Sequence, residues 1–116
     1  MAKIKLDLHD IFNKGRAIES EVKRAGFRVV RELCGHGVGR AIHEEPKILN
    51  YADPEDRTIL TDGLVIAVEP IIASGSGNVF QASDGWTIRT ADGGYAAHHE
   101  HTLVVTRGRP IVLTVA

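Results

Sequence analysis

Leu64-Val65-Ile66-Ala67-Val68-Glu69-Pro70-Ile71-Ile72 is a continuous apolar run broken only by one carboxylate and one proline. A run of this kind reads as a strand buried on both faces, since a half-buried strand would alternate apolar with polar residues. Glu69 is costly in such a strand unless it is paired or binds a metal. Pro70 biases it toward an extended conformation. From the residues alone two readings stay open for Glu69: an ion pair with an arginine such as Arg89, or a metal ligand.

Outward from this strand the chain reads as β with turns. Trp86 to Thr90 and Leu103 to Thr106 alternate like half-buried strands. Asp62-Gly63, Ser74 to Asn78, Asp84-Gly85, Asp92-Gly93-Gly94 and Gly108-Arg109-Pro110 supply turns between them. Upstream, Ile11, Ala17, Ile18, Val22 and Ala25 build one face of an amphipathic helix from Asp10 to Gly26, with Asp10 able to cap its start and Gly26 its end. Phe27 to Leu33 then alternates as a strand that runs into a glycine motif. The expected fold class is α+β, one N-terminal helix followed by an antiparallel sheet, in a single domain over 1–116 without repeat, linker or low-complexity segment.

Composition bounds the function. The chain has 116 residues, 43% hydrophobic, 25% charged and 5% aromatic, as expected of one ordinary globular domain. Its 14 basic and 15 acidic residues give a net charge of -1 with no Lys/Arg stripe, which argues against nucleic acid as a partner. Cys34 is the only cysteine, so no intrachain disulfide forms. No stretch approaches the ~20 apolar residues of a membrane helix, and the N-terminus has no secretory apolar core. The expectation is a cytoplasmic protein with no membrane partner.

Three clusters carry candidate chemistry. In Cys34-Gly35-His36-Gly37-Val38-Gly39-Arg40, glycines at alternate positions flank a histidine, either as a glycine-rich bend or as an imidazole presented in a cramped site. The motif lacks the lysine and the spacing of phosphate-binding loops. His43-Glu44-Glu45-Pro46 superficially matches HExxH, but its fifth position is Lys47 and Pro46 would disrupt the helix. If the chain between is extended, His43 can still approach His36. In His98-His99-Glu100-His101-Thr102, strand alternation puts Glu100 on a face with His98 and Thr102, and His99 and His101 on the other, and the cluster reads equally as a solvated polar edge. One histidine and two glutamates form an oxygen-rich mixed donor set that suits Mn, Fe, Co or Zn better than a thiolate-rich structural zinc site does. Carboxylates that bridge two ions are the usual parts of a two-metal hydrolase, although three ligands are few for two metals.

Five ordered stretches closely resemble the C-terminal half of type I methionine aminopeptidases: Glu32 to Arg40, His43 to Pro46, Val68-Glu69-Pro70, Asp84-Gly85-Trp86-Thr87 and Glu100-His101-Thr102. The likeness runs from about Ala17 to the end of the chain. It implies half of the pita-bread fold, whose two pseudo-symmetric halves enclose a dinuclear centre that removes the initiator methionine from nascent chains. By residue match it implies His36, Glu69 and Glu100 as metal ligands, Glu100 bridging. It further implies His43 as the group that bonds the substrate amide, and Trp86 as a wall of the methionine pocket. Ile42 stands at a pocket position often occupied by Phe. The implied reaction is attack of a metal-activated water on the first peptide bond, with Glu69 a partner in proton transfer.

The resemblance lacks the family's N-terminal half, which supplies two aspartate ligands and a further histidine. Asp53, Asp56, Asp62, Asp84 and Asp92 here lie in turn-like contexts. The family's two divalent ions (Co, Mn, Fe or Zn) are therefore expected to reduce to one or none. The expected partners are peptide or nascent-chain N-termini, together with a second copy of the chain or a separate N-terminal half. The alternative is a non-catalytic half-domain that self-associates or binds peptide N-termini.

Overall fold

The computed structural model describes residues 14–115, so the expected cap at Asp10 and the apolar position Ile11 lie outside the described residues. Helix α1 spans Lys14–Arg24 and buries Ile18 and Val22, while Ala25 beyond its end is exposed. Gly26 ends it with φ 87°. The Gly26 N–H donates to the Lys23 carbonyl and the Phe27 N–H to the Val22 carbonyl, each at 3.0 Å. This is the Schellman closure, which needs a left-handed residue that glycine adopts without a Cβ penalty. Lys23 and Arg24 in the last turn complement the helix dipole. The helix is neither long nor apolar enough to cross a membrane.

The strand expected over Phe27 to Leu33 shrinks to β1, Arg28–Val29. Val30 still donates its N–H to the Ile71 carbonyl at 2.9 Å. The chain then turns at Arg31-Glu32, and the Arg31 guanidinium lies 2.8 Å from Glu19 and 4.5 Å from the Tyr51 ring centroid. The glycine motif is itself a strand, β2, Gly35–Gly37, rather than a bend. There follow β3 (Glu44–Ile48), β4 (Val65–Val68), β5 (Ile71–Ala73), β6 (Val79–Gln81), β7 (Ile88–Thr90), β8 (Ala96–His98), β9 (His101–Val104) and β10 (Ile111–Val112). A five-stranded sheet has the order β10-β9-β4-β2-β3, a three-stranded sheet the order β1-β5-β8, and β6 and β7 form a separate hairpin. The described pairings are antiparallel, as the turn-rich sequence predicts.

The two larger sheets are joined at a corner. β4 and β9 pair from Val65↔Val104 to Val68↔His101, and β5 and β8 resume at Ile71↔His98 with the register unshifted. The ladder is interrupted at Glu69-Pro70 on one strand and His99-Glu100 on the other. Pro70 has no N–H to give. Its carbonyl accepts the His99 N–H at 3.4 Å, the one bond across the break. Strands that bend between sheets at such interruptions make the corners of sheet packings.

The core gathers Ile18, Val22, Val29, Ile48, Ile66, Val68, Leu103 and Val105. Alternation along β4 sends Ile66 and Val68 into this cluster and Ala67 to the opposite face. Large apolar side chains remain outside it, among them Ile42, Phe80, Trp86, Tyr95 and Leu113.

Candidate metal centre

Register alone brings three of the sequence candidates to one face. His36 pairs with Ala67 across β2 and β4, and Ala67 pairs with Thr102 across β4 and β9. Directly opposed residues share a sheet face, and alternation puts Glu69 with Ala67 and Glu100 with Thr102. Ligand atoms of His36, Glu69 and Glu100 lie within 4.8 Å of one another. His36 Nε2 stands 3.7 Å from Glu69 Oε2. Two donors bound at about 2.0–2.2 Å to one ion can be no more than ~4.2 Å apart, so this pair already sits at a chelating distance. Among the described residues this is the one group of three or more His, Cys, Asp or Glu side chains so arranged.

The histidine is locked for this role. Its Nδ1 lies 2.8 Å from the Gly37 carbonyl oxygen, which can only accept, so Nδ1 carries a proton and Nε2 is the nitrogen that faces the carboxylates. The alternating glycines are explained by close approach rather than by positive φ. A Cβ added at Gly35 would overlap the Ala67 carbonyl, and one at Gly37 the Glu45 carbonyl. Backbone on both sides therefore crowds the strand that carries the imidazole.

Glu69 is held above the usual carboxylate range, first because burial disfavours its charge and then because Glu100 repels it. His36 and His98 oppose that rise. The ion-pair contact of Glu69 is with His36, and Arg89 sits in β7 opposite Phe80. Behind the site, fully buried Asn50 donates from Nδ2 to the Glu69 carbonyl at 3.5 Å, while its Oδ1 has no hydrogen-bond partner. Asn50 lies outside the motifs that stand out in the sequence. Its signal was an amide within the otherwise apolar Ile48-Leu49-Asn50-Tyr51.

His43 does reach His36, with ring centroids 4.3 Å apart at 55°. Pro46 lies within β3, so the HExxH-like segment is extended and not helical. Ile42 is 74% exposed and Trp86 is 86% exposed. The β6–β7 hairpin pairs with neither larger sheet, which leaves Trp86 at its turn without a surface to pack on. Asp84 accepts the Trp86 N–H at 2.9 Å and the Thr87 N–H at 2.8 Å, and Asp92 accepts N–H bonds from Ser76 and Gly94. These aspartates serve turns, as their sequence context implies. Clefts of about 280 and 410 Å³ lie elsewhere and share none of the candidate residues.

Residues 2–107 match the model of metallopeptidase family M24. Methionine aminopeptidase 2 of Bacillus subtilis (strain 168) is 46% identical over 101 residues, covering 86% of this chain and 41% of its own length. Methionine aminopeptidase of Escherichia coli (strain K12) is 41% identical over 115 residues, covering 99% of this chain and 42% of its own. The crystal structure of methionine aminopeptidase from Thermotoga maritima superposes with a TM-score of 0.84 at 38% identity, covering 100% of this chain and 45% of that one. That from Rickettsia prowazekii also gives 0.84, at 36% identity, covering 90% and 43%. The chain spans about two fifths of the length of these curated relatives, and its fold is the corresponding part of the pita-bread fold.

Proposed function

The chain belongs to metallopeptidase family M24, and from that premise we propose that it supplies metal-binding and substrate-binding residues for removal of N-terminal methionine from peptides or nascent chains. The observation that carries this reading is the convergence of His36, Glu69 and Glu100 on one sheet face with ligand atoms within 4.8 Å. The donor set fits a divalent ion of the Mn, Fe, Co or Zn kind: two oxygens, one oriented imidazole nitrogen and no thiolate. Such an ion supplies Lewis acidity, lowering the pKa of water and polarising a carbonyl.

The chain's own residues do the rest in this reading. Glu69, its proton affinity raised by burial and by Glu100, takes and returns the proton of the attacking water. Glu100, more exposed, holds the second carboxylate of the site. His43, its ring tilted against that of His36, donates a hydrogen bond to the substrate amide. Ile42 and Trp86 face the methionine side chain. The reading places this work in one domain over 1–116, in the cytoplasm.

Calorimetric titration of the metal-free chain with Mn²⁺ tests the assignment. The expected result is at least one ion per chain, abolished by Glu100→Ala, with metal-dependent release of methionine from a methionyl peptide lost in the same variant. Binding that survives Glu100→Ala would overturn the ligand set. Metal binding without any methionine release would favour a second reading, a non-catalytic half-domain that self-associates or holds peptide N-termini. The exposure of Trp86, Tyr95 and Ile42 speaks for that reading.

A further inference from the structure

The corner that carries Glu100 has a second cluster on its other face. His99 and His101 flank Glu100, so alternation turns both rings away from the carboxylate group. Their Nε2 atoms lie 3.2 Å apart, and the rings meet edge to face, with centroids at 4.9 Å and an interplanar angle of 83°. An ion about 2.05 Å from each nitrogen would subtend about 100° between them, near the tetrahedral angle. At this separation only one of the two nitrogens can place a hydrogen between them, so at least one lone pair already points into the gap.

His101 is also oriented from behind. Its Nδ1 lies 2.8 Å from Thr114 Oγ1, and that hydroxyl accepts the Thr102 N–H at 3.1 Å. The β9–β10 register, Val112↔Leu103, continued by one pair on each strand step, sets Thr114 opposite His101. A ring nitrogen held by a hydroxyl while the other faces a gap is how metal-ligating histidines are fixed. His99 is exposed and His101 half-buried, so an ion reaches both nitrogens from solvent.

We propose that His99 and His101 form a two-histidine chelate for an imidazole-preferring divalent ion, zinc, nickel or copper, on the sheet face opposite His36, Glu69 and Glu100. Water completes the coordination. Imidazole nitrogens without carboxylates select these ions over Mn, Mg and Ca. The site is separate from the carboxylate group, and an ion in it holds both backbone neighbours of Glu100.

The test is a Zn²⁺ titration of the full chain carrying Glu69→Gln, followed by two-dimensional NMR of the histidine ring nitrogens. The His99 and His101 Nε2 resonances are expected to shift together and saturate at one Zn²⁺ per chain. Adding His99→Ala should weaken that binding at least tenfold. Thr114→Val, which leaves both rings in place, should weaken it by a smaller factor, and its unchanged melting temperature shows that the corner is intact. Zn²⁺ that shifts His36 or His43 but neither His99 nor His101 would overturn the proposal, as would equal affinity with and without His99. Because the background lacks Glu69, neither outcome depends on the peptidase reading.

Discussion

Glu69→Gln is expected to stabilise the metal-free chain and to weaken its hold on metal, two effects of opposite sign from one oxygen. In the metal-free site two carboxylates and an imidazole lie within 4.8 Å, where like charges repel by about 3.5 kcal/mol at an effective dielectric of 20 and about 0.9 kcal/mol in water. Glu100 is exposed, so solvent screening puts the repulsion near the lower figure. Burial of the Glu69 charge adds to the cost, and His36 subtracts from it. A net gain of about 1 kcal/mol follows, or about 4 °C in melting temperature for a domain of this size.

The pH dependence has a definite sign. The Glu69 carboxyl is held above its unfolded value, so its contribution to stability is complete below the unfolded value and is lost as pH rises through the folded one. Variant and wild type should therefore melt together below about pH 4 and separate as pH rises toward 7.5. Thermal melts in EDTA at the two pH values, at low and high salt, read the gap directly. In Mn²⁺ the order should invert, because the variant loses an ionised ligand, with affinity falling at least tenfold. A lower melting temperature for the metal-free variant at pH 7.5 would refute the electrostatic account of the site.

Two further substitutions address the frame around the metal group. Glu19 is buried, which opposes its charge, yet bonds from Arg31, the Ala52 N–H and Lys23 hold its carboxyl below the usual range. Its stabilising effect is thus present above the unfolded value and lost as pH falls through the folded one. Glu19→Gln should cost about 2 kcal/mol in urea unfolding at pH 7, shrinking toward zero in acid; a pH-independent loss would point to packing instead. Gly35→Ala drives a Cβ into the Ala67 carbonyl and should cost at least about 2 kcal/mol while abolishing Mn²⁺ binding, since β2 cannot keep His36 over Ala67. Unaltered binding in that variant would show that the close approach does not position the imidazole.

Residue chemistry made some of this legible in advance. The apolar run around Glu69 is β4 and β5, and the mixed donors at 36, 69 and 100 stand out by type. Their convergence does not, because it follows from pairing registers between strands far apart in sequence. The glycine strand was hidden for a related reason: Gly35 and Gly37 have no side chains to alternate, and it is the neighbouring backbones that make β2 extended. Phe27 to Leu33 misled in the opposite way. Its alternation is real, but a turn at Arg31-Glu32 takes the chain out of the sheet after Val30.

The unshifted register through the corner also favours one order of assembly over another. β5 and β8 enclose the shorter excursion, residues 74–95, part of which is the local β6–β7 hairpin. Closing that excursion costs less chain entropy than bringing β4 and β9 together independently. Once Ala73↔Ala96 has formed, pairing can run down the ladder to Val65↔Val104 with no search for alignment. Glu69 and Glu100 then meet midway along a zipper, and β2 adds His36 from a segment some thirty residues upstream. The strands thus bring together two mutually repelling carboxylates through backbone alignment, before the last ligand arrives and without help from the side chains themselves.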